Sequence, residues 1–200
     1  MADGGPRRQV RGIRRIELIL DTAEALFAEV GYDATTTNAI AAAAAISPGS
    51  LYQFFPNKLA IAEALTARYV AGLDDVYGRI LAASPGGAQV PALIDQLVEA
   101  LVTFNAASPG ARALMAGAEV SPDLVTVVAP LHAAMCDRAE DIVGATAPTL
   151  TAGQRKRTAD VCIHVVRALM PAIVAAPPAE RADAATELKR VLVGYLSTPR

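Results

Sequence analysis

Apolar residues recur every three or four positions along almost all of this 200-residue chain, and no stretch alternates apolar with polar for long enough to build a strand. Ile16, Ile19, Leu20, Ala23, Leu26, Phe27 and Val30 step at i, i+3, i+4 and i+7, with Glu17, Asp21 and Glu24 on the other side. Gly31 then supplies a stop. The background is rich in Ala, Leu, Glu and Arg, all good helix formers. The chain is therefore expected to be all-α. Hydrophobic residues make up 53%, yet there is no Trp and only 4% is aromatic, so the core must be built from Ala, Leu, Val and Ile.

Caps and breakers divide the pattern. Thr35-Thr36-Thr37 offers caps for a short second helix through Ala44. Ser47-Pro48 offers a cap followed by Pro at the first helical position, for a third that ends near Phe55-Pro56. A fourth starts near Asn57 and runs past Tyr69 towards Leu81; Ser84-Pro85-Gly86-Gly87 is the clearest breaker. Further helices fit 90–106, 109–118, 122–144, 153–176 and 179–196, about nine in all. Pro130 and Pro171 are expected to kink or interrupt theirs.

Charge narrows the function classes. Eighteen basic residues against twenty acidic give a net charge of −2, which excludes a globally basic nucleic-acid binder. Any basic footprint is local, and residues 1–15 hold Arg7, Arg8, Arg11, Arg14 and Arg15 against Asp3 alone. That segment reads either as a solvated tail or as an arm on a phosphate backbone. No apolar run reaches the roughly 18–20 residues of a membrane span, and the arginines interrupt any signal-peptide core. Two cysteines make no disulfide framework, and a cytoplasmic protein without membrane contact is expected. There is no phosphate loop, no nucleophile elbow and no paired carboxylates in an apolar setting, so neither an enzyme nor a cofactor is expected. His132 and Cys136 stand one helical turn apart, with Cys162 and His164 further on. Residues two apart on a helix do not share a face, and no metal site is expected.

The informative stretch is 36–58: two short helices, a brief turn, and a capped second helix presenting small and polar residues early. This is the pattern of a helix-turn-helix. Ile40, Ala44 and Leu51 are expected to face inward, and Ser50, Tyr52 and Gln53 outward. The residues Ala23, Phe27, Gly31, Tyr32, Thr35, Thr36, Ile40, Ala41, Ala44, Ser47, Gly49, Ser50, Leu51, Tyr52, Phe55, Asn57 and Lys58 together resemble the DNA-binding domain of the TetR (tetracycline-repressor-like) family of bacterial transcription regulators. The run from Ile46 to Lys58 is similar to that family's recognition-helix signature. Two positions depart from it. Ala45 stands where Gly is usual before Ile46, and Ala39 leaves Thr36 without a reciprocal capping box.

The resemblance implies roles. Thr37, Ser50, Tyr52 and Lys58 are expected at phosphates or, for Tyr52, a base edge; the caps Thr36 and Ser47 are expected among the DNA-binding residues, and the charge of the arm adds Arg14 and Arg15 as phosphate contacts. Asn38, Pro48, Gly49 and Gln53 sit where relatives read bases. It implies a basic arm over 1–13, a DNA-binding domain over 14–60 and a helical ligand-binding and dimerisation domain over 61–200. The last two helices are apolar around much of their circumference, so a homodimer burying Ile163, Arg167, Met170, Leu188, Val191, Leu192 and Tyr195 is expected. Leu101, Phe104, Met115, His132 and Met135 are candidates to line a pocket for a small apolar effector. The reading is a ligand-responsive regulator, foremost a repressor on a palindromic operator in double-stranded DNA. The rival is a helical small-molecule-binding protein or enzyme with a vestigial helix-turn-helix.

Overall fold

Side-chain caps at Thr36, Ser47, Asn57 and Thr151 set the amino ends of four helices. The computed structural model describes the backbone of residues 5–83 and 89–197 and the side chains of 10–83 and 89–197. The side chains of Arg7 and Arg8 and the Ser84-Pro85-Gly86-Gly87 breaker lie outside the described residues. Among those described, every regular element is helical: α1 (Gly5–Val30), α2 (Thr37–Ala43), α3 (Pro48–Tyr52), α4 (Lys58–Ala82), α5 (Val90–Ala107), α6 (Pro109–Gly117), α7 (Pro122–Thr146), α8 (Ala152–Ala175) and α9 (Pro178–Leu196). Gly31 ends α1 at φ 84°, the left-handed conformation that glycine adopts without cost. Asn57 accepts from the Ala60 amide at 2.8 Å and so opens α4. Thr151 and Gln154 form a full capping box before α8.

Three findings differ from expectation. Residues 5–13 are already helical and continuous with α1, because nothing between Pro6 and Arg15 breaks a helix strongly. Helices α7 and α8 run unbroken through Pro130 and Pro171. Both prolines are exposed, as is Thr126, four residues before Pro130, so a carbonyl freed there reaches water. Third, α5 and α8 are long and apolar enough, by length and composition alone, to cross a membrane. Their packing assigns them otherwise. The buried residues of α5 are Leu93, Ile94, Leu97, Val98 and Leu101, at core-helix spacing, and α5, α8 and α9 pack on one another.

The chain divides into two units: the described parts of Met1–Arg68 with Ser108–Ala129, and those of Tyr69–Ala107 with Pro130–Arg200. The first is organised on α1, which packs against α2 and α6. Its core holds Ile19, Ala23, Phe27, Ile40, Leu51, Ile61, Leu65, Leu114 and Leu124, all buried. The Arg68 guanidinium pairs with Asp21 at 2.6 Å, Glu17 at 3.5 Å and Glu24, tying α4 to one face of α1. Sequence order alone puts 109–129 with the ligand-binding domain, whereas their packing groups them with α1. In the second unit Lys189 of α9 reaches Asp95 at 2.7 Å and Glu99 on α5. Phe104 lies so close to α4 that its Cε2 would stand 2.8 Å from a Cβ at Gly72.

Candidate nucleic-acid interface

Two short helices and the turn between them build the site. The Thr36 hydroxyl caps α2 by accepting from the Ala39 amide at 3.1 Å. The Ser47 hydroxyl caps α3 by accepting from the Ser50 amide at 3.1 Å. Between them the Ile46 amide donates to Ala41 at 3.0 Å and the Ala45 amide to Ala42 at 3.1 Å. This is a Schellman closure, and it drives Ala45 to φ 51°. The position where Gly is usual is therefore left-handed, and an alanine bears the cost of ~1–2 kcal/mol. Ile40, Ala44 and Leu51 face inward as expected, at 0%, 6% and 0% exposure.

The outward residues are available to a ligand. Thr36, Asn38, Ser47, Pro48, Gly49, Tyr52 and Gln53 are exposed; Thr37 and Ser50 are half-buried. Thr37 Oγ1 and Tyr52 Oη share a hydrogen bond of 2.9 Å, joining the amino end of α2 to the last residue of α3. One hydroxyl donates to the other, and the second keeps a proton for an outside acceptor. The capping hydroxyls of Thr36 and Ser47 likewise accept inwardly and keep their own protons. Three hydroxyl protons, one from the Thr37–Tyr52 pair and one each from Thr36 and Ser47, can thus meet phosphate oxygens, with Asn38 and Gln53 available to base edges. On α1, Arg14 is exposed and Arg15 half-buried, and neither forms an ion pair with a described residue.

Lys58 is placed differently from the phosphate role that the resemblance implies. Its ammonium donates to the carbonyls of Tyr32 at 2.7 Å, Thr35 at 2.8 Å and Asp33 at 3.3 Å. It also stands 4.1 Å from the Tyr32 ring centroid. Burial pushes its pKa below the ordinary lysine range, with Asp33 opposing. Sequence reasoning assigns no role to Tyr32, whose ring also leans on Phe27 at 5.3 Å between centroids.

The other site residues separate. Leu101, Phe104, His132 and Met135 belong to the second unit and Met115 to the first, so the five do not converge within one unit. Leu101 is buried, and Met135 packs on the cluster of Ala139, Val143, Ala159 and Ile163. Both nitrogens of His132 are engaged: Arg167 Nη1 donates to Nδ1 at 3.1 Å, which leaves Nε2–H to face Cys136 Sγ at 3.7 Å. Burial first and Arg167 second hold its pKa below the ordinary 6.5. His164 is exposed and turned to the Asp160 carbonyl of its own helix at 2.6 Å. Among the described residues no three His, Cys, Asp or Glu side chains gather as metal ligands.

The dimer residues need correction. Ile163, Met170, Leu188 and Leu192 are 0–4% exposed within their own chain, where α8 and α9 pack together and on α5. They are core, with no surface left for a partner. Of the others, Arg167 is bound to His132, Tyr195 is half-buried and Val191 is exposed. The apolar surface lies at Val161 and Leu169 on α8 and Val191 on α9. Periodicity shows that two faces are apolar without telling which one the chain covers itself.

Comparison with known proteins agrees with this geometry. The family profile described as "Bacterial regulatory proteins, tetR family" matches residues 19–65. A second, "Tetracyclin repressor-like, C-terminal domain", matches 90–196, which is more than half of the chain. The HTH-type transcriptional repressor KstR2 of Rhodococcus jostii is 40% identical over 85 residues, a match spanning 42% of this chain and 40% of that repressor. Solved structures share the fold. A TetR-family transcriptional regulator from Streptomyces coelicolor superposes with TM-score 0.62 at 24% identity, covering 91% of this chain and 97% of that one. A TetR-family regulator from Agrobacterium tumefaciens gives TM-score 0.71 at 14% identity, covering 90% and 96%. From the helix-turn-helix geometry and these matches together, the chain belongs to the TetR family of bacterial regulatory proteins.

Proposed function

We propose that this chain is a repressor that binds a palindromic operator as a homodimer and is released by a small, mostly apolar effector. The observation that carries the DNA reading is the capped pair α2 and α3. Three free hydroxyl donors there, with Asn38 and Gln53, are presented outward from a buried scaffold. A helix of this kind lays its first residues in the major groove, and a two-fold pair reads half-sites about 34–36 Å apart. The exposed apolar side chains of α8 and α9 support the dimer. The aliphatic second unit supports an apolar effector. The similarity to a repressor over 85 residues supports the direction of control.

The test is selection from a randomised duplex library, followed by substitution at each base of the winner. Enrichment of an inverted repeat is expected. Gln53→Ala and Asn38→Ala are expected to relax preference at one or two positions in each half-site, at ~1–3 kcal/mol. A library that yields no enriched sequence overturns the reading.

A further inference from the structure

We infer that Lys58 is a positioning residue, whose ammonium buttresses the turn between α1 and α2 and so fixes the amino end of α2, rather than a ligand of DNA phosphate. The inference rests on the DNA-binding reading above. Lys58 is the first residue of α4. A cation there faces the positive end of that helix, an unfavourable place unless something else holds the charge. Three carbonyls do so. An ammonium has three N–H donors, and the oxygens of Tyr32, Asp33 and Thr35 occupy all of them. Those oxygens belong to the turn that follows the carboxyl end of α1 at Val30. The Tyr32 ring, in turn, presents its face to the charge.

The consequence reaches the reading residues through the backbone. Thr35 is 2% exposed, and its hydroxyl donates to the Gly31 carbonyl at 2.8 Å, so the turn is bound from both sides. The next residue, Thr36, is the cap of α2, and the one after it, Thr37, is bonded to Tyr52. Release of the Lys58 ammonium would free the turn that sets where these hydroxyls stand. A phosphate could recruit it only by breaking all or part of this cage.

Two experiments on the full-length protein separate the two roles. The chain has three lysines, Lys58, Lys156 and Lys189. Reductive methylation of the DNA-free protein, read by peptide mass, is expected to modify Lys58 at least about tenfold more slowly than exposed Lys156, because a lone pair must be freed first. Addition of the duplex selected by the wild type should leave the Lys58 rate unchanged. The second experiment is Lys58→Met, which keeps the stem over Tyr32 and removes the charge. It should lower the melting temperature by several degrees and weaken duplex binding about tenfold, while the slope of log affinity against log salt stays at the wild-type value. Removal of a true phosphate ligand from both half-sites would reduce that slope by roughly two. Rapid methylation of free Lys58 that slows on DNA, or a reduced slope in a normally stable Lys58→Met protein, overturns the assignment. If the wild type binds no duplex, the repressor reading fails, and the cage is still decided by the methylation of the free protein.

Discussion

Ala45 holds a conformation that its side chain disfavours, at φ 51° in an exposed turn where its methyl packs on little. Ala45→Gly should relieve ~1–2 kcal/mol of strain and cost ~0.5–1 kcal/mol in unfolded-chain entropy. A net gain of up to ~1.5 kcal/mol is expected, seen as a rise in melting temperature at roughly 2–4 °C per kcal/mol. A lower melting temperature would show that the methyl packs more favourably than its strain costs. His132 gives a pH-dependent counterpart. Burial and the Arg167 guanidinium hold its pKa below 6.5, so the unfolded chain binds that proton more readily. Its contribution is fully present above 6.5 and is lost as the pH falls through the lowered folded value. Between about pH 7.5 and about pH 5.5 the wild type should therefore lose more thermal stability than His132→Gln. Equal losses would mean that His132 titrates as it does in the unfolded chain. The Ala45 strain was legible through the family resemblance, which marks its position as one where Gly is usual. The Lys58 cage was not, since its partners are backbone oxygens 23 to 26 residues earlier, and carbonyls carry no residue code.

At the scale of the element, α9 shows what helical periodicity can and cannot decide. Its ends, expected at 179 and 196, were readable within one residue. Its covered side was not readable, because Leu188, Val191 and Leu192 are all apolar and adjacent. The fold covers Leu188 and Leu192 at 0% and 3% exposure and leaves Val191 at 47%. Leu188→Ala should accordingly cost about 2–5 kcal/mol in chemical denaturation, the range for truncating a buried leucine, irrespective of protein concentration. A cost that vanished on dilution would place Leu188 between chains instead of inside one. The prolines teach a similar lesson. Pro130 and Pro171 are breakers by residue type, yet each has buried residues of its own helix on both sides, Val128 and Leu131 for the first and Met170 and Ile173 for the second, and that packing outweighs one missing hydrogen bond.

At the scale of the whole molecule, the proposed two-fold assembly must use what the single chain leaves uncovered. Leu169→Asp with Val191→Asp places charges on exposed positions of α8 and α9, so the helical content and the thermal transition should survive. Sedimentation should then give a monomer where the wild type gives a dimer, and operator affinity should collapse because one reading head grips only one half-site. A doubly substituted protein that remains dimeric puts the interface elsewhere. The helix-turn-helix was legible because its caps, turn and inward residues occupy one contiguous stretch. The division into units was not, because α6 returns to α1 after an excursion of some forty residues and the opening of α7 belongs to the same unit. That return has a practical meaning for anyone exchanging specificities between such regulators. A graft cut after the fourth helix begins would set one protein's α1 against another's α6, on the face where Leu114 is buried and Gly117 leaves no room beside Leu124. The transferable cassette is discontinuous: residues through 68 must travel with 108–129, or the transplanted head arrives without its own back wall.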